Sequence, residues 1–170
     1  IKTSLLTLSG GEFEGTGNVI GGFALAGGTL KPGDSPGTLT VNGNYSQSAT
    51  STLEIQIEGT TAGSQYDVLD VTGSVNLNGT LQLVAIDGFV PQAGEQFFIL
   101  QGYTSRIGTF SNIDASGLNL GPDLLVRILY DQGALSNEVE VLVAAPETAT
   151  WGLMAAGLAL LAAVRIRRKS

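Results

Sequence analysis

Apolar residues in this chain come in short bursts broken by glycine. From the start it reads Leu5-Leu6-Thr7-Leu8, Gly10-Gly11, Phe13, Val19-Ile20, Gly21-Gly22 and Phe23-Ala24-Leu25. Bursts this short, separated by turn residues, predict strands of a stacked sheet with turns at the glycine pairs. A helix would lose about 1 kcal/mol at each interior glycine. Further on the pattern alternates. Leu53, Ile55 and Ile57 interleave with Glu54, Gln56 and Glu58, the period of a half-buried strand whose acids face water. Residues 38–42 do the same, with Leu39 and Val41 inward and Thr38, Thr40 and Asn42 outward.

More strands are expected near residues 66–72, 74–77, 80–84, 97–100, 107–113, 124–130 and 139–143. Pro32-Gly33 and Ser35-Pro36-Gly37 suit consecutive tight turns, proline setting φ and glycine accepting positive φ. Residues 38–43 and 74–79 read as degenerate copies of one strand, each closed by Asn-Gly. Recurring short strands that bury a face only against their neighbours predict an all-β fold. The body, residues 1–145, is expected to be a parallel β-helix or solenoid, with an antiparallel β-sandwich as the alternative. Phe97, Phe98, Phe110 and Tyr130 are expected to plug the end of its core, because a terminal strand must be capped.

After Ala144-Ala145 the pattern changes. Residues 146–170 open with Pro146, Glu147 and Thr148, run through Trp151, Gly152, Leu153, Leu158, Leu160, Leu161 and Val164, and close on Arg165, Arg167, Arg168 and Lys169. The run is apolar on every face, which predicts a single hydrophobic helix and not an amphipathic one. About 16 residues at helical rise span roughly 24 Å, near the lower limit for a hydrocarbon core about 30 Å thick. Four of the chain's eight Lys and Arg follow the run directly, as the positive-inside rule requires of a cytoplasmic end, and Trp151 suits the opposite interface. Gly152 and Gly157 fall off the spacing that small residues use to pack paired membrane helices.

Charge sharpens the division. The chain carries −7 in all, but before Pro146 four bases (Lys2, Lys31, Arg106, Arg127) face fourteen acids, leaving −10. Such a body repels nucleic acid, which is not an expected partner. There is no cysteine, so burial and sheet hydrogen bonds must stabilise an exported chain without disulfides. The sequence opens on Ile1 with no leader ahead of a tail that calls for export, and it is expected to be the C-terminal part of a longer precursor.

Chemistry is sparse. Without histidine or cysteine the chain cannot build a Ser-His-Asp or Cys-His device. Ser35 beside Asp34 lies in a turn motif with no visible base. Gly15-Thr16-Gly17 lacks the rest of a phosphate-binding loop. Asp67, Asp70 and Asp87 are oxygen ligands of the kind calcium takes, but no calcium-loop spacing joins them, so turn-capping or solvated carboxylates are expected. Glu54 and Glu58 could pair for glycosidic cleavage, but on an exposed strand they read as solubilising charge. No catalytic residue, metal or cofactor is expected, and the protein is read as non-enzymatic.

Two resemblances follow from these residues. Pro146-Glu147, the hydrophobic run and the Arg-rich end resemble the PEP-CTERM tail of exported bacterial proteins, with Thr148 where the family most often has a second proline. This implies recognition by exosortase, a membrane-embedded cysteine transpeptidase that would cut near Pro146. The protein would then be held briefly in the inner membrane before reaching the cell surface or matrix of a Gram-negative bacterium that makes exopolysaccharide. Exopolysaccharide and other cell-surface components are the further partners implied. The stretch Gly28-Thr29-Leu30-Lys31-Pro32-Gly33-Asp34-Ser35-Pro36-Gly37-Thr38-Leu39, and again residues 67–79, resemble passenger segments of bacterial autotransporters. That likeness implies a parallel β-helix and a structural or adhesive role. The alternative expectation is a capping segment of a longer β-helix enzyme or glycan-binding protein whose active module lies upstream.

Overall fold

The computed structural model describes residues 1–34, 36–132 and 137–146. These residues form thirteen strands and no helix. They are β1 (Lys2–Glu14), β2 (Gly17–Lys31), β3 (Thr38–Asn42), β4 (Tyr45–Gln47), β5 (Ser51–Ile57), β6 (Val68–Val71), β7 (Ser74–Leu77), β8 (Thr80–Ala85), β9 (Gln96–Gln101), β10 (Ser105–Gly108), β11 (Asn112–Gly117), β12 (Leu125–Tyr130) and β13 (Glu138–Ala144).

All thirteen belong to one curled sheet. β2 pairs in parallel with β1 on one side and with β3, β4 and β5 in turn on the other. From there three parallel ladders run on: β3 to β6 to β9, β4 to β7 to β10, and β5 to β8 to β11. Among the thirteen strands direction reverses at the end, where β13 lies antiparallel to both β9 and β12; an isolated antiparallel bridge joins Ile57 and Tyr66. With one sheet and mostly parallel pairing, the sandwich alternative is not the arrangement found.

The glycine pairs do not end strands. Gly10-Gly11 lies within β1, and Gly21-Gly22 and Gly27-Gly28 lie within β2. They are corners at which the pairing register shifts within one long strand, and at those of β2 the partner changes from β3 to β4 and then to β5. Gly21 takes φ +122, and a Cβ there would lie 1.9 Å from the Thr3 carbonyl oxygen. Only glycine lets two backbones pass so close. The same corner recurs as the chain stacks: a Cβ on Gly43 would stand 2.6 Å from Gly21 backbone, and one on Gly73 would stand 2.6 Å from Gly43.

Residues 38–43 and 74–79, alike in pattern, do not stack on each other. β3 stacks on β6, placing Leu39 beside Leu69 and Val41 beside Val71, whereas β7 stacks on β4. Gly43 is therefore matched by Gly73, whose amide donates to the Gly43 carbonyl at 3.0 Å. The two segments look alike because each leads into a glycine corner, but they sit on different ladders.

Inward positions form columns across the strands. Val19, Val41 and Val71 make one, Leu39, Leu69 and Leu100 another, Leu30, Leu53 and Leu81 a third, and Phe23, Tyr45 and Val75 a fourth, all fully or almost fully buried. Each such side chain contributes about 1.5–3 kcal/mol by leaving water. Among the buried polar groups of the described residues Glu140 Oε1 has no hydrogen-bond partner, whereas Tyr45 and Gln47 are satisfied. Tyr45 donates its hydroxyl to Gln47 Oε1 at 3.1 Å, and Gln47 Nε2 donates to the carbonyls of Ser51 (3.3 Å) and Thr80 (3.0 Å).

The four aromatic residues expected at the core's end divide. Phe110 is buried and packs against Tyr130, ring centroids 6.4 Å apart, and Phe97 is fully buried edge-on to Tyr66 and Phe89. Phe98, the next residue along β9, is only half-buried and gives its backbone amide to the Tyr66 hydroxyl. Among the described residues no helix is long and apolar enough to cross a membrane. The hydrophobic helix expected over residues 151–164 lies outside the described residues, as does all of the tail beyond Pro146.

Candidate functional site

The Pro-Gly turns after β2 are fastened from below by one carboxylate. Asp67 is fully buried and accepts the amide of Gly37 at 2.8 Å on Oδ1 and the amide of Gln56 at 2.9 Å on Oδ2. Gly33 is glycine because a Cβ there would meet Asp67 Oδ1 at 1.9 Å. Burial pushes the Asp67 carboxyl up to about 6, against the two amides, with the charges of Glu14 and Glu54 adding to the rise. Beside it Lys31 Nζ bridges Glu12 at 3.0 Å and Glu54 at 3.4 Å. Partial burial works against the Lys31 charge, but these two partners outweigh it and hold its pKa above the ordinary value.

Outward positions also form columns. Thr29, Thr52, Thr80 and Asn112 stand side by side on β2, β5, β8 and β11, and Glu54, Gln82 and Asp114 stand in the next column. On another ladder Thr40, Asp70 and Gln101 line up, with Glu138 of β13 opposite Gln101. Strand spacing repeats these groups about every 4.8 Å. Where the last column ends, Gln101, Gly102, Asn137 and Glu138 line a cleft of about 340 Å3. Gly102 adjoins Asp70: a Cβ there would lie 2.5 Å from Asp70 Oδ1. The cleft offers amides and carboxylates, which can hydrogen-bond hydroxyl groups; among the described residues its lining supplies no cation or nucleophile.

The candidate residues fall out as follows. Asp67 and Asp70 are separated in role, the first inside under the turn and the second on the outer face of β6, while Asp87 sits at φ 50 in a turn. Among the described residues no three acidic side chains gather to hold a metal. Glu54 is tied to Lys31, not poised against Glu58, and its side chain is only 14% exposed, so it is less solvated than the alternation predicts. Asp34 is exposed, and Ser35 lies outside the described residues. Of the sorting motif only Pro146 is described; Glu147 and Thr148 lie outside, as do Trp151, Gly152, Leu153, Leu158, Leu160, Leu161, Val164, Arg165, Arg167, Arg168 and Lys169.

Sequence reasoning missed one cluster entirely. Arg106 stands beside Val75 on an inward position of β10, at the end of the Phe23, Tyr45 and Val75 column. Its guanidinium reaches Asp131 Oδ2 from Nε (3.0 Å) and Nη2 (2.7 Å), caps the Gly108 carbonyl, and lies 4.6 Å from the centre of the Tyr130 ring. Tyr103 donates to Asp131 Oδ1 at 2.5 Å. Burial, and then the Asp131 carboxylate, hold the Tyr103 phenol well above its usual range. Nothing in the sequence signalled it: Ile107, the apolar residue of the segment, is 64% exposed, and Arg106 takes the inward position. The cluster closes the core; it does not present a reactive group.

No known family profile matches the chain. Over 127 residues it is 30% identical to the Adhesin BmaC autotransporter of Brucella suis biovar 1 (strain 1330). That stretch is 73% of this chain and 4% of the adhesin. The chain therefore spans a small fraction of the relative it matches.

Proposed function

We propose that this chain is part of an exported, non-enzymatic, adhesive protein of the bacterial surface. Its body is a parallel β-solenoid that displays polar side chains in columns, and residues 146–170 are a sorting and membrane tail. The observation that carries the reading is the likeness to an adhesin over most of the chain. Parallel ladders with inward apolar and outward polar columns are the geometry such a body needs. The outer column that ends in the cleft of Gln101, Gly102, Asn137 and Glu138 is the proposed contact surface, and a neutral polysaccharide rich in hydroxyls is the partner its chemistry suits. The tail brings a second partner: Pro146 and Glu147 are read by an exosortase-type peptidase while residues 151–164 rest in the inner membrane.

Retention of the full chain on columns of immobilised neutral exopolysaccharide tests the contact surface. Glu138→Lys with Asp70→Lys should release it without changing the circular dichroism, and unaltered retention contradicts the assignment. A second reading keeps the fold but makes this segment the closing cap of a longer β-helix enzyme. It is favoured by the antiparallel β13, which ends the parallel series at β9. Carboxylate clusters on consecutive upstream strands would select it.

A further inference from the structure

β1 is a sheet edge with unused pairing capacity. Among the described residues this strand pairs with β2 alone. Leu6, Leu8 and Phe13 point toward the core but are only partly buried, whereas their neighbours one strand on, Phe23, Leu25 and Leu30, are at most 1% exposed. Leu5 is 55% exposed and Ile1 62%. A long edge of this kind, without proline or a central charge, is a template for another strand.

The sequence of β1 says what kind of strand. Leu6, Leu8, Gly10, Gly11 and Phe13 recur as Phe23, Leu25, Gly27, Gly28 and Leu30, so both strands carry the motif φ-x-φ-x-Gly-Gly-x-φ, with φ apolar. In β2 both glycines are explained by the strand lying over them. A Cβ on Gly27 would come within 2.7 Å of the Ser9 carbonyl oxygen, and one on Gly28 within 2.3 Å of the Gly11 carbonyl oxygen. In β1 the space is open: nothing lies within 4 Å of a Cβ built on Gly10 or Gly11. Gly11 has φ +75, which itself favours glycine, but Gly10 has neither positive φ nor a crowding neighbour. Its hydrogen side chain leaves a slot of the size that a passing carbonyl fills in the next strand.

We propose that the free edge of β1 docks one further parallel strand of the same φ-x-φ-x-Gly-Gly-x-φ type, whose backbone passes over Gly10 and whose apolar residues cover Leu6, Leu8 and Phe13. A second copy of this chain does not meet the requirement. Its β1 would approach by a two-fold axis and run antiparallel, and the apolar spacing of two then five residues would read five then two, so no register aligns all three positions. This docking stands on the edge geometry and is independent of the adhesive reading.

The test adds a synthetic peptide with the sequence of residues 17–31 to the full chain and follows binding by calorimetry and by hydrogen exchange of the β1 amides. Saturable binding with protection along β1 is expected. Gly10→Val should weaken it at least tenfold while leaving the melting temperature of the chain unchanged, because the Cβ meets nothing within the chain. A peptide with valine in place of Gly28, which takes φ +78 in β2, should not bind. No saturable binding, equal binding by Gly10→Val, or a chain dimer that Gly10→Val dissolves overturns the proposal.

Discussion

Arg106 and Asp131, far apart in sequence, meet at the end of the ladders with Nη2 2.7 Å from Oδ2, and the same carboxylate accepts the Tyr103 hydroxyl. One acid thus neutralises the cation that ends an apolar column and satisfies the phenol beside it. Asp131→Ala strands both groups and should cost about 2 kcal/mol, a figure reduced for the partial exposure of the pair. Asp131→Asn should cost less, because asparagine also tolerates the residue's φ of 55. Urea unfolding of the single variants and of the double variant with Arg106→Ala measures the coupling, and additive losses would deny it.

The buried carboxylate under the Pro-Gly turns predicts an unusual pH profile. Asp67 titrates near 6 in the fold against an ordinary 3.8, so between these values the folded chain binds more protons than the unfolded one. Its contribution to stability is therefore greatest below about pH 4 and falls as pH rises through about 6, by on the order of 3 kcal/mol. Asp67→Asn should remove this slope while costing stability at pH 4, since it loses an acceptor for the Gly37 or Gln56 amide. Denaturation midpoints of both proteins at pH 4, 5, 6 and 7 decide the point; parallel curves would sink it.

Corner glycines should be intolerant even where their φ is ordinary. Gly43→Ala places a methyl 2.6 Å from Gly21 backbone and should cost about 1–3 kcal/mol as overpacking. Gly121→Ala, with nothing within 4 Å of its Cβ, should be neutral within about 0.5 kcal/mol. Equal losses in thermal unfolding would mean that the stacked corner is not what selects glycine.

How much of this could be read from the chain differs by range of interaction. The alternation around Leu53, Ile55 and Ile57 placed β5 and its buried face, since all three are fully buried. The final strands fell close to β12 and β13 because their apolar runs are local signals. Strand continuity through Gly21-Gly22 was hidden, because a corner inside a strand and a turn between strands use the same residue. Stacking partners were hidden too: Gly43 matches Gly73 and not Gly79 because register is set by how many residues each circuit needs, which no single segment carries. The roles of Asp67 and Arg106 depend on partners tens of residues away, so residue type alone announced a charge without its purpose.

The tail makes a prediction separate from the fold. If Pro146 and Glu147 form a signal that a peptidase reads, Pro146→Ala or Glu147→Ala should leave residues 151–170 attached to the mature protein, and Thr148→Pro should speed their removal. Intact mass of the secreted protein reports both. A mass that none of these changes alters would mean that the tail is a permanent anchor.

Export of the body across the inner membrane is the claim on which the functional account rests. Spheroplasts of cells lacking exosortase, in which the full precursor is held in the inner membrane, can be treated with an amine reagent that does not cross that membrane, then digested and mapped. Lys2 is exposed on the body and Lys169 lies beyond the apolar run. The account predicts modification of Lys2 with Lys169 untouched until the cells are lysed. A chain whose Lys2 reacts only after lysis contradicts it.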